Sequence, residues 1–182
     1  MLPPGAVHQG LAVRASPLEP LTIDAACAPV DGRTVLLLDG VTDPHNVGAV
    51  FRSAAAFGAR AIIMQDRKSP PLTGVLAKAA TGAIETVPHV RAVNLARALE
   101  ELKALGYLTV ALEGEADLDL AGALSDPRPA VLALGAEGKG LRPGVADACE
   151  KRARIPINAD MESLNVSNAA AIALYEARRT RG

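Results

Sequence analysis

The chain has 182 residues and a formal net charge of −1, which leaves room for one ordinary domain and excludes the broad basic footprint of many nucleic-acid proteins. Its two cysteines, Cys27 and Cys149, lack Cys-x-x-Cys spacing and neighbouring histidines, which excludes a disulfide scaffold and a zinc site. No window approaches the ~20 apolar residues that span a bilayer, and no basic stretch precedes an apolar leader, so a cytoplasmic protein without a membrane partner is expected.

The first thirty residues hold Pro3, Pro4, Pro17, Pro20 and Pro29 without sustained periodicity, which predicts an extended connector rather than a packed element. From Thr34 the pattern changes. TVLLLD reads as a strand, NVGAVFRSAAAFG as a helix, and ARAIIMQ as a second strand after Gly58. In NLARALEELKALG, Leu95, Leu99, Leu102 and Leu105 recur at helical spacing, with Asn94 as N-cap and Gly106 as the stop. YLTVALE, AVLALG and RARIPI read as further strands. With two Tyr, two Phe and no Trp, the core must be aliphatic. Continuous apolar strands alternating with helices predict an α/β fold, with a parallel sheet covered on both faces and ligands at the carboxyl ends of its strands.

Three segments carry candidate chemistry. In DGVTDPHNVGAVFRSAAAFGA, Asn46 sits near a helix start and Arg52 is the single charge in an otherwise apolar helix. Asn46 either caps that helix or positions a reactant, and Arg52 either lies along the helix flank or faces a phosphate or hydroxyl. VLALGAEGKGL places Gly135, Gly138 and Gly140 after a strand with Glu137 among them. That spacing is neither the G-x-G-x-x-G of dinucleotide folds nor a P-loop, which argues against a nicotinamide-dependent dehydrogenase. It is a plain turn or a place where backbone approaches a flat ligand. In IPINADMESLNVSNAAAIALYEARR, Ser163, Asn165, Ser167 and Asn168 crowd the entrance of an Ala-rich helix, more polar groups than one N-cap needs.

Taken in order, NVGAVFR, GAEGKGL and IPINADMESLNVSNAAAIALYEARR resemble the three motifs of the SpoU branch of the SPOUT methyltransferases, over residues 34–181. The resemblance implies a parallel-sheet domain with a C-terminal deep trefoil knot, which composition and periodicity alone would not predict. It implies transfer of a methyl group from S-adenosylmethionine to a ribose 2′-hydroxyl in RNA, by a homodimer and without a metal. By position it assigns Asn46, Arg52, Glu137, Ser163 and Asn165 to catalysis. It assigns the methyl donor to the backbone around Leu134, Gly135 and Gly138 and to Ile155, Leu164 and Ser167, with Ala169 nearby. Arg52 is placed beside the reacting hydroxyl, as base or as a fixed positive charge.

His8 to Gly10 (HQG) and KAATGAIETVPHVRAVNLARAL are most similar to the branch that methylates a guanosine of large-subunit ribosomal RNA. That likeness makes residues 1–30 a linker from a preceding RNA-binding domain and 31–182 the methyltransferase domain. A transfer-RNA ribose methyltransferase and a silent RNA-binding homologue are the alternatives. The C-terminal Arg178, Arg179 and Arg181 form a basic cluster that suits either phosphate contact or the helix dipole.

Overall fold

Leu36, Leu38, Ile62, Met64, Leu132 and Leu134 point to one side of a sheet, and Val35, Leu37, Ala61, Ile63, Val131 and Ala133 to the other, the alternation that a strand's two-residue period imposes. The computed structural model describes residues 18–28 and 30–181 together with Gly10 and Ser16. The elements run α1 (Ile23–Cys27), β1 (Val35–Asp39), α2 (Pro44–Ala56), β2 (Ala61–Gln65), α3 (Val75–Ala80), α4 (Ala83–Thr86) and β3 (His89–Ala92). They continue with α5 (Leu95–Ala104), β4 (Leu108–Leu112), α6 (Leu120–Ala123), β5 (Ala130–Gly135), α7 (Pro143–Ala146), β6 (Lys151–Ala153) and α8 (Val166–Arg181).

The strands form one sheet in the order β3-β2-β1-β5-β4-β6, every neighbouring pair parallel. Both faces are covered, so β1 is buried at all five of its positions and reads as an unbroken apolar run. One core lies under α2, α3, α4, α6 and α8, the other under α1, α5 and α7. Burying Phe51 of α2 completely in the first core is worth about 1.5–3 kcal/mol. Ala170, Ala173 and Ala177 of α8 are buried in that core beside Ala54 of α2, so small side chains let the last helix lie close to the first long one.

The helix after β1 covers one face and the helix after β5 covers the other. Because β1 and β5 are neighbours, the chain diverges between them and leaves a crevice at their carboxyl ends. That is the topological switch point, the place where this class of sheet binds ligands.

Predicted strands and helices match β1, α2, β2, α5, β4 and β5, with Asn94 capping α5 by accepting from the Arg97 backbone N–H and Gly106 in the left-handed region at φ 99°. Two expectations need correction. The extended connector fails at α1, whose five residues are too few to show periodicity but bury Ala26 and Cys27. RARIPI is a strand only at its first residues, since β6 ends at Ala153 and Pro156 cannot continue a ladder. The remaining proline-rich positions before Ser16, and Pro17 and Pro29, lie outside the described residues.

Candidate active site

Asp43, not Asn46, caps α2: its carboxylate accepts from the His45 backbone N–H at 2.9 Å, and Pro44 takes the first helical position. Asn46 is thereby freed from capping and faces out of the first turn, half-buried. At the far end of the motif, Asn165 caps α8. Its Oδ1 accepts from the Ser167 backbone N–H at 2.9 Å and from the Ser167 hydroxyl at 2.6 Å. Two donors on Oδ1 fix which way the amide points, so its Nδ2 must face the other side. There it donates to Asn46 Oδ1 at 3.1 Å and to Glu137 Oε2 at 3.4 Å. One amide therefore joins three motifs, across 119 residues to Asn46 and 28 to Glu137.

Glu137 is carried by the loop after β5. Gly135 is required at its base, because a Cβ there would stand 1.9 Å from the Gly140 carbonyl carbon. Gly138 and Gly140 adopt left-handed φ values of 73° and 63°, with open space where a Cβ would be. The loop folds back on itself through the Ala136–Gly140 bridge and meets Asp39, the buried last residue of β1, through Arg142. Nothing in the sequence singled out Asp39 or Arg142 beyond the acid that ends the apolar run TVLLLD.

Arg52 is exposed two turns further along α2, roughly 9 Å of helical rise from Asn46, and forms no ion pair among the described residues. Ser163 is exposed in the loop before α8. The structure thus brings Asn46, Glu137 and Asn165 into one hydrogen-bonded cluster and leaves Arg52 and Ser163 outside its hydrogen bonds. Of the softer candidates, Leu134 and Ala169 pack toward the first core, so Leu134 has only backbone to offer a ligand, while Ile155 and Leu164 are half-buried. The loop after β4 runs alongside, since a Cβ on Gly114 would lie 3.8 Å from the Glu162 carbonyl oxygen.

The cysteines lie elsewhere. Burial pushes the Cys27 thiol up to about 11 and the Cys149 thiol up to about 12, so neither supplies a thiolate near neutral pH. Among the described residues, no group of three His, Cys, Asp or Glu side chains could hold a metal ion, and no helix is long and apolar enough to cross a membrane.

Residues 33–175 match the sequence model of the SpoU rRNA Methylase family. A Vibrio vulnificus protein named 23S rRNA (guanosine-2′-O-)-methyltransferase RlmB is 42% identical over 180 residues, covering 97% of this chain and 72% of its own length. The SpoU methyltransferase AviRb from Streptomyces viridochromogenes superposes with a TM-score of 0.79 at 26% identity, over 90% of this chain and 65% of AviRb, just under two thirds. An AdoMet-bound rRNA methyltransferase from Sinorhizobium meliloti superposes with a TM-score of 0.76 at 34% identity, over 83% of this chain and 57% of that one. The match over residues 33–175 and the 42% identity across 97% of its length place this chain in the SpoU rRNA methylase family.

Proposed function

We propose that the chain transfers a methyl group from S-adenosylmethionine to a guanosine ribose 2′-hydroxyl of large-subunit ribosomal RNA, in the cytoplasm. The observation that carries this reading is the Asn165 amide, which ties Asn46 and Glu137 into one cluster at the β1–β5 crevice. The relatives' names favour ribosomal over transfer RNA as the substrate.

The residues around the crevice fit the donor. The glycine loop offers backbone without side chains above it, and half-buried Leu164 offers apolar surface to an adenine. Backbone around Leu134, Gly135 and Gly138, with Ile155, Leu164 and the Ser167–Ala169 turn, would hold it. When bound, it supplies a methyl group already activated on a sulfonium. The protein's share of the work is then alignment of the hydroxyl and charge control as its proton passes to solvent water. An arginine stays protonated in proteins, so Arg52 acts as a fixed positive charge that stabilises the developing alkoxide and holds a neighbouring phosphate. Asn46, Glu137, Ser163 and Asn165 orient the ribose around it.

Two features of the architecture belong to the same proposal. β6 lies at the sheet's edge while α8 packs on α2 near its middle, so residues 154–165 cross back over the carboxyl edge past the glycine loop. That path supports a deep trefoil knot. Ile172 and Tyr175 on α8 are 42% and 55% exposed, and Arg52 on α2 is exposed as well, which supports a homodimer in which a second copy closes the site.

Labelled methyl transfer from S-adenosylmethionine to unmodified total RNA tests the reaction, with the label traced to 2′-O-methylguanosine. Arg52→Ala is expected to reduce turnover by about 10²–10³-fold, the cost of removing one fixed donor from a transition state. Label on a base instead of the ribose, or full turnover in Arg52→Ala, would refute the proposal. Light scattering of the same preparation is expected to give twice the chain mass, and a monomer mass would remove the dimer.

A further inference from the structure

Asp39 is the only buried acidic side chain among the described residues, 1% exposed at the carboxyl end of β1. A carboxylate is stable in such a place only when it is paired and hydrogen-bonded. Among the described residues, its side-chain partners all come from one, Arg142. Oδ2 accepts from the Arg142 backbone N–H at 2.9 Å, and Oδ1 accepts from the Arg142 Nε and is paired with its terminal nitrogen, both at 2.8 Å. Asp39 also pairs in register with Gly135 across the β1–β5 ladder. The glycine loop, residues 136–141, therefore starts from the residue beside Asp39 and ends at the residue that Asp39 holds.

Within the loop, restraint is slight. Its turn is closed by Lys139 and Gly140 backbone N–H groups donating to the Ala136 carbonyl, and residues 137–140 are exposed. Two glycines in the left-handed region make this a costly segment to order, since glycine loses more conformational freedom than any other residue. A charged fork anchored in the sheet supplies the missing constraint.

We propose that Asp39, acting through Arg142, is a positioning residue that holds the glycine loop in the shape that binds the methyl donor and presents Glu137 to Asn165. The inference rests on the methyltransferase reading for its kinetic consequences, while its structural consequence can be read without any donor.

The test compares the whole chain with Asp39→Asn, Arg142→Ala and Arg142→Lys. Amide hydrogen exchange without donor is expected to quicken at residues 136–141 in the first two variants while β1, β2 and β4 stay protected. Calorimetric affinity for S-adenosylmethionine should fall by about 10- to 100-fold, with KM for RNA unchanged. Arg142→Lys keeps the charge but loses the planar fork, and should recover part of both effects. If Asp39→Asn fails to fold, the two Arg142 variants read the same contact from its exposed side.

Native loop exchange and native donor affinity in Arg142→Ala would overturn the proposal. So would a uniform loss of protection across the sheet with no rescue by Arg142→Lys, because the pair would then only stabilise the fold. A parent chain that binds donor but methylates no RNA would fail the functional reading instead, and loop exchange would still decide the clamp.

Discussion

Asn165 uses both ends of one amide, and that double use explains why its neighbours matter. The Ser167 donors fix Oδ1, which leaves Nδ2 aimed at Asn46 and Glu137. Cutting Asn165 to Ala removes a helix cap, worth typically about 1 kcal/mol, and also releases both acceptors. Cutting Asn46 to Ala deletes one acceptor and leaves the Asn165–Glu137 bond in place. Because the two side chains share a bond, their losses should not add: a double-mutant cycle on single-turnover methyl transfer is expected to show a coupling of about 0.5–3 kcal/mol. Asn165→Asp should be at least as damaging as Asn165→Ala, since it sets a second carboxylate against Glu137. Additive losses in the cycle would mean that the Asn46–Asn165 bond plays no part in turnover.

At the scale of elements, two glycines stand where backbones approach, with opposite consequences. Gly48 lies where α3 rests on α2: a Cβ there would be 2.6 Å from the Ala79 Cβ and 2.8 Å from the Leu76 carbonyl oxygen. Gly135 lies under the glycine loop, where the obstruction is the backbone of Gly140. Gly48→Ala forces two helices apart inside the first core and should cost about 1–3 kcal/mol of stability, read by urea unfolding, with donor affinity kept. Gly135→Ala must displace the loop itself, so donor affinity should be lost even at temperatures where the sheet remains folded. Equal effects of the two substitutions on donor binding would show that the loop's shape is not what the donor recognises.

For the molecule as a whole, what was legible in the sequence follows from how each signal arises. Strands buried on both faces read as aliphatic runs, and α5 showed its leucine stripe because one side faces water. Composition and spacing locate the three polar motifs, but their convergence is implied only by the family resemblance, because the Asn46–Asn165 contact spans 119 residues and depends on strand order. The Asp39–Arg142 pair was hidden for the same reason, with 103 residues between its members. α1 was missed because a five-residue helix gains its stability from docking rather than from its own pattern. Beside the burial of Ala26 and Cys27, one bond ties it to the second core: the buried Tyr107 hydroxyl donates to the Cys27 carbonyl at 2.9 Å. Tyr107→Phe keeps the ring and removes that donor, leaving a buried carbonyl unpaired at a cost of about 1 kcal/mol or more. Cys27 then becomes the reporter, since its thiol is fully buried and held protonated in the native state. Alkylation of Cys27 at neutral pH should be very slow in the parent chain and about five times faster in Tyr107→Phe, the factor that ~1 kcal/mol implies. If α1 opens alone, donor affinity will be unchanged while labelling accelerates. Labelling that instead tracks urea unfolding in both chains would mean α1 is part of the same cooperative unit as the sheet.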